Sequence, residues 1–178
     1  MSFIIELNIT CLIDGDAVIL SKASEYAIRA VIYIALVERK GYTPIREISN
    51  ALDISFHFLT KIFQILTEKN YLASYRGPRG GILLAKPSSE ITLFDIVVAV
   101  DDDKLFEECA IGLSGCGEDT PCPIHDRWGP IRDDIKNKLM NATIDILVTK
   151  MKDDELRLAD NNDHVNNWFK ALKVIRNE

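Results

Sequence analysis

SFHFLTKIFQILTEKNYLASYRGPRGG, residues 55–81, is the stretch that decides the fold. Ser55 can cap a helix in which Leu59, Ile62, Phe63 and Leu66 recur at helical spacing, so one face is apolar and the other is left to polar side chains. Two short strand patterns follow, 71–75 and 82–85, joined by Arg76-Gly77-Pro78-Arg79-Gly80-Gly81. Glycine tolerates the backbone of a tight reversal, and the two arginines sit at its tip. A helix followed by a basic-tipped hairpin predicts a wing beside a recognition helix.

The residues upstream complete that unit. Ser21 can cap a helix running to Lys40, with Ala27, Ala30, Val31, Ile34 and Ala35 on one stripe, and Gly41 ends it. Thr43-Pro44 reads as a cap followed by the residue best suited to a first helical position, and Ile45, Ile48 and Leu52 share a face of the short helix that follows. Two short helices joined by a tight turn make a helix-turn-helix. The expected fold class is mostly α with a small β wing, a winged helix-turn-helix head carrying a long dimerisation helix.

In that geometry the third helix enters a major groove of double-stranded DNA and presents Ser55, Phe56, His57, Thr60, Lys61 and Gln64. Lys61 and Gln64 suit base edges or nearby phosphates, His57 and Thr60 suit specificity positions, and Arg76 and Arg79 suit phosphates or a narrow minor groove. Charge agrees. Residues 21–90 carry ten Lys/Arg against six Asp/Glu, whereas the remainder carries eleven against twenty-one, so a basic head sits on an acidic body.

Beyond the wing, Thr92 caps a short apolar helix, TLFDIVVAVDD, expected to pack on the first helix. From His125 to about Lys150 a single long helix is predicted, with Trp128, Ile131, Ile135, Leu139, Ala142 and Ile146 on one stripe and Gly129-Pro130 in its first turn. A long exposed stripe seeks a partner, and the simplest is the same helix of a second copy; a two-fold dimer would read an imperfect palindrome. The organisation expected is an N-terminal extension over 1–18, the winged helix-turn-helix over 19–90, a loop and dimerisation helix over 91–152, and a tail helix over 153–178, where Val165, Trp168, Phe169, Leu172 and Ile175 share a face.

Between these helices lies CAIGLSGCGEDTPCPIH, residues 109–125, holding Cys109, Cys116, Cys122 and His125. No secretory leader is expected at the N-terminus, and clustered thiols in such a chain point to metal rather than to a disulfide framework. Thiolates hold iron-sulfur clusters, and Gly112, Gly115 and Gly117 let backbone approach a cofactor closely. Zinc is the chemical competitor, although the intervals of six and five intervening residues are wider than the close knuckles of structural zinc sites. Thiol oxidation without any metal is a further alternative. A metalloenzyme is not expected, because neither HExxH nor HxE with PCxxC occurs. No apolar run reaches the roughly 18 residues of a membrane span. The cytoplasm is therefore the expected compartment, without a membrane partner.

The segment LSKASEYAIRAVIYIAL, the SFHFLTKIFQIL helix, the RGPRGG wing and the Cys, Cys, Cys, His loop, in that order, resemble the winged-helix transcriptional regulators of the IscR/NsrR iron-sulfur sensor family. The resemblance covers residues 19 to about 150. It implies a homodimeric transcription factor, usually a repressor, whose DNA binding follows the state of a 2Fe-2S or 4Fe-4S cluster. By position it places the ligand role on Cys109, Cys116 and Cys122, with His125 as fourth ligand and Glu25 of the other subunit as the alternative. The Cys109–Cys116 interval is one residue longer than the usual pattern, and Thr60 stands where the cluster-assembly regulators carry an acid.

Overall fold

The computed structural model describes residues 19–37, 39, 41–77, 80–114, 119–154 and 156–159. The expected N-terminal extension, nearly all of the expected tail helix, and the predicted site residues Arg79 and Cys116 lie outside the described residues. Among the described residues, seven helices and a small sheet follow in the order α1 (Lys22–Val37), α2 (Ile45–Leu52), α3 (Phe56–Glu68), β1 (Leu72–Tyr75), β2 (Gly81–Leu84), a single 3-10 turn (Ser88–Glu90), α4 (Leu93–Asp101), α5 (Lys104–Glu107), α6 (His125–Met140) and α7 (Ile144–Asp154).

Helix α1 is the axis of the head because its apolar stripe is the widest. Ala27, Ala30, Val31 and Leu36 are buried essentially to completion, and α2, α3, α4 and α7 all pack on it. From α3 the predicted inward face, Leu59, Ile62, Phe63 and Leu66, is buried without exception. Each such side chain contributes about 1.5–3 kcal/mol on leaving water, so this face fixes the rotation of α3 and turns its polar face outward. The same core takes in Ile91, Ile96, Ile144, Val148 and Met151.

At the start of α2 the structure differs from the sequence reading. Pro44, not Thr43, is the cap residue, and no side chain caps this end. Thr43 is instead buried in an antiparallel bridge, its N–H donating to the Ile82 carbonyl and its carbonyl accepting from the Ile82 N–H, both at 2.8 Å. The hairpin therefore gains a third strand position. Gly81 is required by that approach, since a Cβ there would collide with the Thr43 carbonyl. Strand boundaries shift by one residue, with Tyr75 facing Gly81 and Leu72 facing Leu84.

Thr92 caps α4 as expected, in a full capping box: its hydroxyl accepts the Asp95 N–H at 3.1 Å while Asp95 accepts the Thr92 N–H at 2.9 Å. The single long helix over 125–150 is corrected to two. Asn141 closes α6, and Thr143 is drawn into an antiparallel bridge with Thr92, with Leu93 N–H bonding Ala142 O and Ile144 N–H bonding Ile91 O at 2.9 Å each. Thr143 Oγ1 then accepts the Ile146 N–H at 3.3 Å and starts α7. The break turns Ile144, Val148 and Met151 inward against the head and leaves Ile146 exposed, so the predicted stripe ends with α6. Pro130 also falls in the second turn of α6, where it leaves the Asp126 carbonyl without its helical N–H partner.

Candidate functional site

Two surfaces carry the chemistry. The first is the outer face of α3 and the wing. Ser55, His57, Thr60, Lys61 and Gln64 are all exposed on α3, and Arg76 is exposed at the base of the wing turn. Ser55 is the cap residue of α3 but makes no side-chain cap bond, which leaves its hydroxyl to other partners. Thr60 Oγ1 donates back to the Phe56 carbonyl at 2.8 Å, and Gln64 donates to Glu68 at 3.2 Å. An open groove of about 640 Å³ runs between this helix, the start of α2 and the wing, with Arg46, Phe56, Thr60, Gln64, Tyr75 and Arg76 on its walls.

Two aromatics on this face are unusually exposed. Tyr75 lies against Tyr42 with ring centroids 5.4 Å apart, and Phe56, 37% exposed, carries the Arg46 guanidinium over its ring at 5.5 Å. Neither contact was legible in the sequence, because Arg46 and Phe56 belong to different helices. Around the α1–α2 connection, Arg39 is clamped on Glu47 by two bonds of 3.0 and 3.1 Å. The neighbouring Tyr33 hydroxyl is pushed up to about 12, first by burial and then by the Glu47 carboxylate.

The second surface is the cysteine loop. Of the four predicted ligands, the described residues bring together Cys109 and Cys122, whose sulfurs lie 3.4 Å apart. Cys109 is buried and Cys122 half-buried. His125 opens α6, and its N–H bonds the Cys122 carbonyl at 2.9 Å, so it follows Cys122 within one turn. Among the described residues no group of three metal-binding side chains is assembled. Glu25, the alternative ligand, is paired with Lys22 at 2.9 Å in the first turn of α1. The two sulfurs come near the spacing of a common ion: tetrahedral coordination at about 2.3 Å per thiolate sets sulfurs about 3.8 Å apart.

The loop is anchored through carbonyls next to Cys109. Trp128 Nε1 donates to Glu108 O and Arg132 Nη1 to Glu107 O, each at 3.3 Å, both from α6. Phe106, buried in α5, meets Phe94 of α4 at 4.9 Å between centroids. Helix α4 in turn reaches the wing, where the Tyr71 hydroxyl donates to Asp95 at 3.3 Å. Burial first, then the Asp95 carboxylate, raises the Tyr71 pKa, which keeps that hydroxyl a donor. Sequence reasoning missed Trp128 and Arg132 as anchors. Trp128 was assigned to the apolar stripe, and its indole N–H, a donor needing a partner, was the signal available.

A helix-turn-helix with its polar recognition face outward and a three-position wing beside it defines a winged-helix DNA-binding regulator. The comparisons agree: residues 20–150 match Rrf2, described as iron-dependent transcriptional regulator, and the chain belongs to this family. It is 34% identical over 144 residues to the HTH-type transcriptional regulator IscR of Pectobacterium carotovorum subsp. carotovorum (strain PC1), covering 81% of this chain and 86% of that one. To IscR of Serratia proteamaculans (strain 568) it is 35% identical over 146 residues, covering 81% and 87%. Among solved structures it resembles CymR (YrzC), the global cysteine regulator of B. subtilis, at 25% identity and a TM-score of 0.61, over 73% of this chain and 95% of that one. T. potens IscR matches in fold, with a TM-score of 0.62 at 18% identity over 78% and 91%. The chain is thus a DNA-binding transcriptional regulator and not an enzyme, and among the described residues no helix is long and apolar enough to cross a membrane.

Proposed function

We propose that this chain is a homodimeric repressor whose operator binding responds to an iron-sulfur cluster held by Cys109, Cys116, Cys122 and His125. The observation that carries the reading is the 3.4 Å approach of the Cys109 and Cys122 sulfurs at the foot of α6. Two thiols thirteen positions apart in the chain, one of them buried, are held where a single ion can bridge them. The family description and the IscR-named relatives support iron as the metal. When bound, the cluster supplies a redox- and ligand-labile link among the thiolates.

What the protein does with that link follows from the anchors. Cys109 is tied to α6 through the carbonyls of Glu107 and Glu108, and to α4 through Phe106 on Phe94. Helix α4 packs on both α1 and α3. Drawing Cys109 and Cys122 together therefore fixes the tilt of α6 against α4, and with it the setting of α3. Ile131 and Met140 on α6 are 53% and 48% exposed, and among the residues of that helix only Gly129 is fully buried. This uncovered stripe favours a second copy as its partner, and the two-fold then sets the separation of two recognition helices on an imperfect palindrome. A few kcal/mol of difference in cluster affinity between two settings suffices for a large change in occupancy. Transcription-factor relatives support the cytoplasm as its compartment.

The same sulfur pair favours a second reading, in which the cysteines bind zinc or oxidise to a disulfide without any cluster. Anaerobic purification with an absorption spectrum and iron, sulfide and zinc analysis separates the two. Coloured protein with matching iron and sulfide, lost in Cys122→Ser, is expected; colourless protein free of both iron and zinc that binds its duplex identically with and without reductant overturns both readings.

A further inference from the structure

Arg46 is the charge on the recognition side that the sequence reading left without a role. It stands at the second position of α2 and is exposed. Its guanidinium lies over the Phe56 ring at 5.5 Å, and among the described residues no carboxylate pairs with it. Arg39 shows what a structural arginine looks like in this fold: it is neutralised by Glu47 through two bonds. Arg29 is another, spent on the Leu52 and Leu158 carbonyls at 3.1 and 2.8 Å. Arg46 has neither arrangement.

Stacking changes what an arginine can do. A ring under one face of the guanidinium limits its side-chain freedom while leaving its N–H donors, which point outward in the guanidinium plane, available to an anion. Arg46 is held in this way on the wall of the groove that also bears Thr60 and Gln64 of α3 and Arg76 of the wing. Phe56 gives a reason for its own exposure: an aromatic at 37% on a polar face is the platform for that cation. The carboxylate on the groove wall, Glu68, accepts the Gln64 amide.

We propose that Arg46, set by Phe56, is a DNA-backbone contact that grips one phosphate from the α2 side of the groove, opposite Arg76 on the wing. The reading rests on the DNA-binding function proposed above and adds a positioned phosphate clamp to it. Two arginines from different elements, one on each side of the recognition helix, fix the register in which α3 meets the bases. A phosphate contact carries no sequence information itself.

The test is salt-dependent binding of the full chain to two probes, a short duplex enriched by the wild-type protein from a randomised pool and an unrelated duplex. Each phosphate neutralised contributes about 0.9 to the slope of log affinity against log salt. Arg46→Gln is expected to weaken binding to both duplexes by a similar factor and to reduce the slope by about one. Arg46→Lys should restore the slope but only part of the affinity, since ammonium lacks the planar fork. Phe56→Leu should keep the slope and lose affinity at every salt concentration. A wild-type slope in Arg46→Gln overturns the proposal, and so does a loss confined to the enriched duplex, which would mean base reading. If the wild-type chain binds neither duplex, the DNA-binding reading falls, and the clamp with it. Arg46 is exposed and outside the core, so a melting temperature equal to wild type is expected to accompany each outcome.

Discussion

The head and the cysteine loop are held together by different forces. In the head, α3 is fixed by four fully buried apolar side chains on one face, and its reading residues need no ligand to be presented. In the stretch from Lys104 to His125, Phe106 and Cys109 are the only described residues that are buried; its other ties include two hydrogen bonds from α6 to backbone carbonyls, the Lys136–Glu107 ion pair and the contact of two sulfurs. A region built by burial stays in place whatever the metal does. A region closed by sulfur atoms takes its geometry from what those atoms bind. On the proposed reading, the contrast lets one chain keep a rigid reader and a responsive sensor a single helix apart, α4 touching both.

The largest effect should come from the reader. Phe63→Ala removes a side chain that is 1% exposed at the centre of the head and should cost about 3–5 kcal/mol. Chemical denaturation would report it together with loss of duplex binding, and an unchanged midpoint would break the claim that burial holds α3. Substituting the loop sharpens the comparison from the other side. Cys122→Ser should abolish metal binding after anaerobic preparation yet leave the metal-free denaturation midpoint close to wild type, because Cys122 is only half-buried. A collapse of stability in the metal-free protein would mean that the loop is part of the core.

Smaller effects test the joint between the two. Thr92→Ala deletes the capping hydroxyl of α4 and should cost about 1 kcal/mol, read from the same denaturation curves. Trp128→Phe keeps the ring's packing and deletes the donor to the Glu108 carbonyl, a bond worth about 0.5–1.5 kcal/mol. Its expected signature is a narrower ratio between duplex affinities of loaded and metal-free protein, with the metal-free affinity itself nearly unchanged. An unaltered ratio would remove Trp128 from the coupling route.

Much of this was legible in the sequence wherever a signal is local. The inward face of α3, the Thr92 cap and the wing all follow from spacing and capping within a dozen residues, and the structure keeps each of them. The reading went astray where a residue had two local meanings and a distant partner chose between them. Thr43 before Pro44 has the form of a helix cap, yet the Ile82 strand claimed its backbone. The 125–150 stripe has the period of one helix, yet the bridge of Thr143 to Thr92 split it in two, and the Thr143 hydroxyl starts the second helix. Of the site, the α3 and Arg76 positions stood on the face expected, while the anchoring of Cys109 by Trp128 and Arg132 was not visible.

The order of residues by itself determined the helices of the head, which of their faces are apolar, where the basic hairpin falls and which sulfur donors the chain carries, because helical period, capping and turn chemistry act over a few positions. Only the tertiary structure decided that a threonine would join the wing as a third strand, that the last long helix would break, that Cys109 and Cys122 would meet, and that Arg46 would rest on Phe56. Those pairings join residues brought near one another by the packing of α1 with its neighbours, and no short-range pattern encodes a distance across a core.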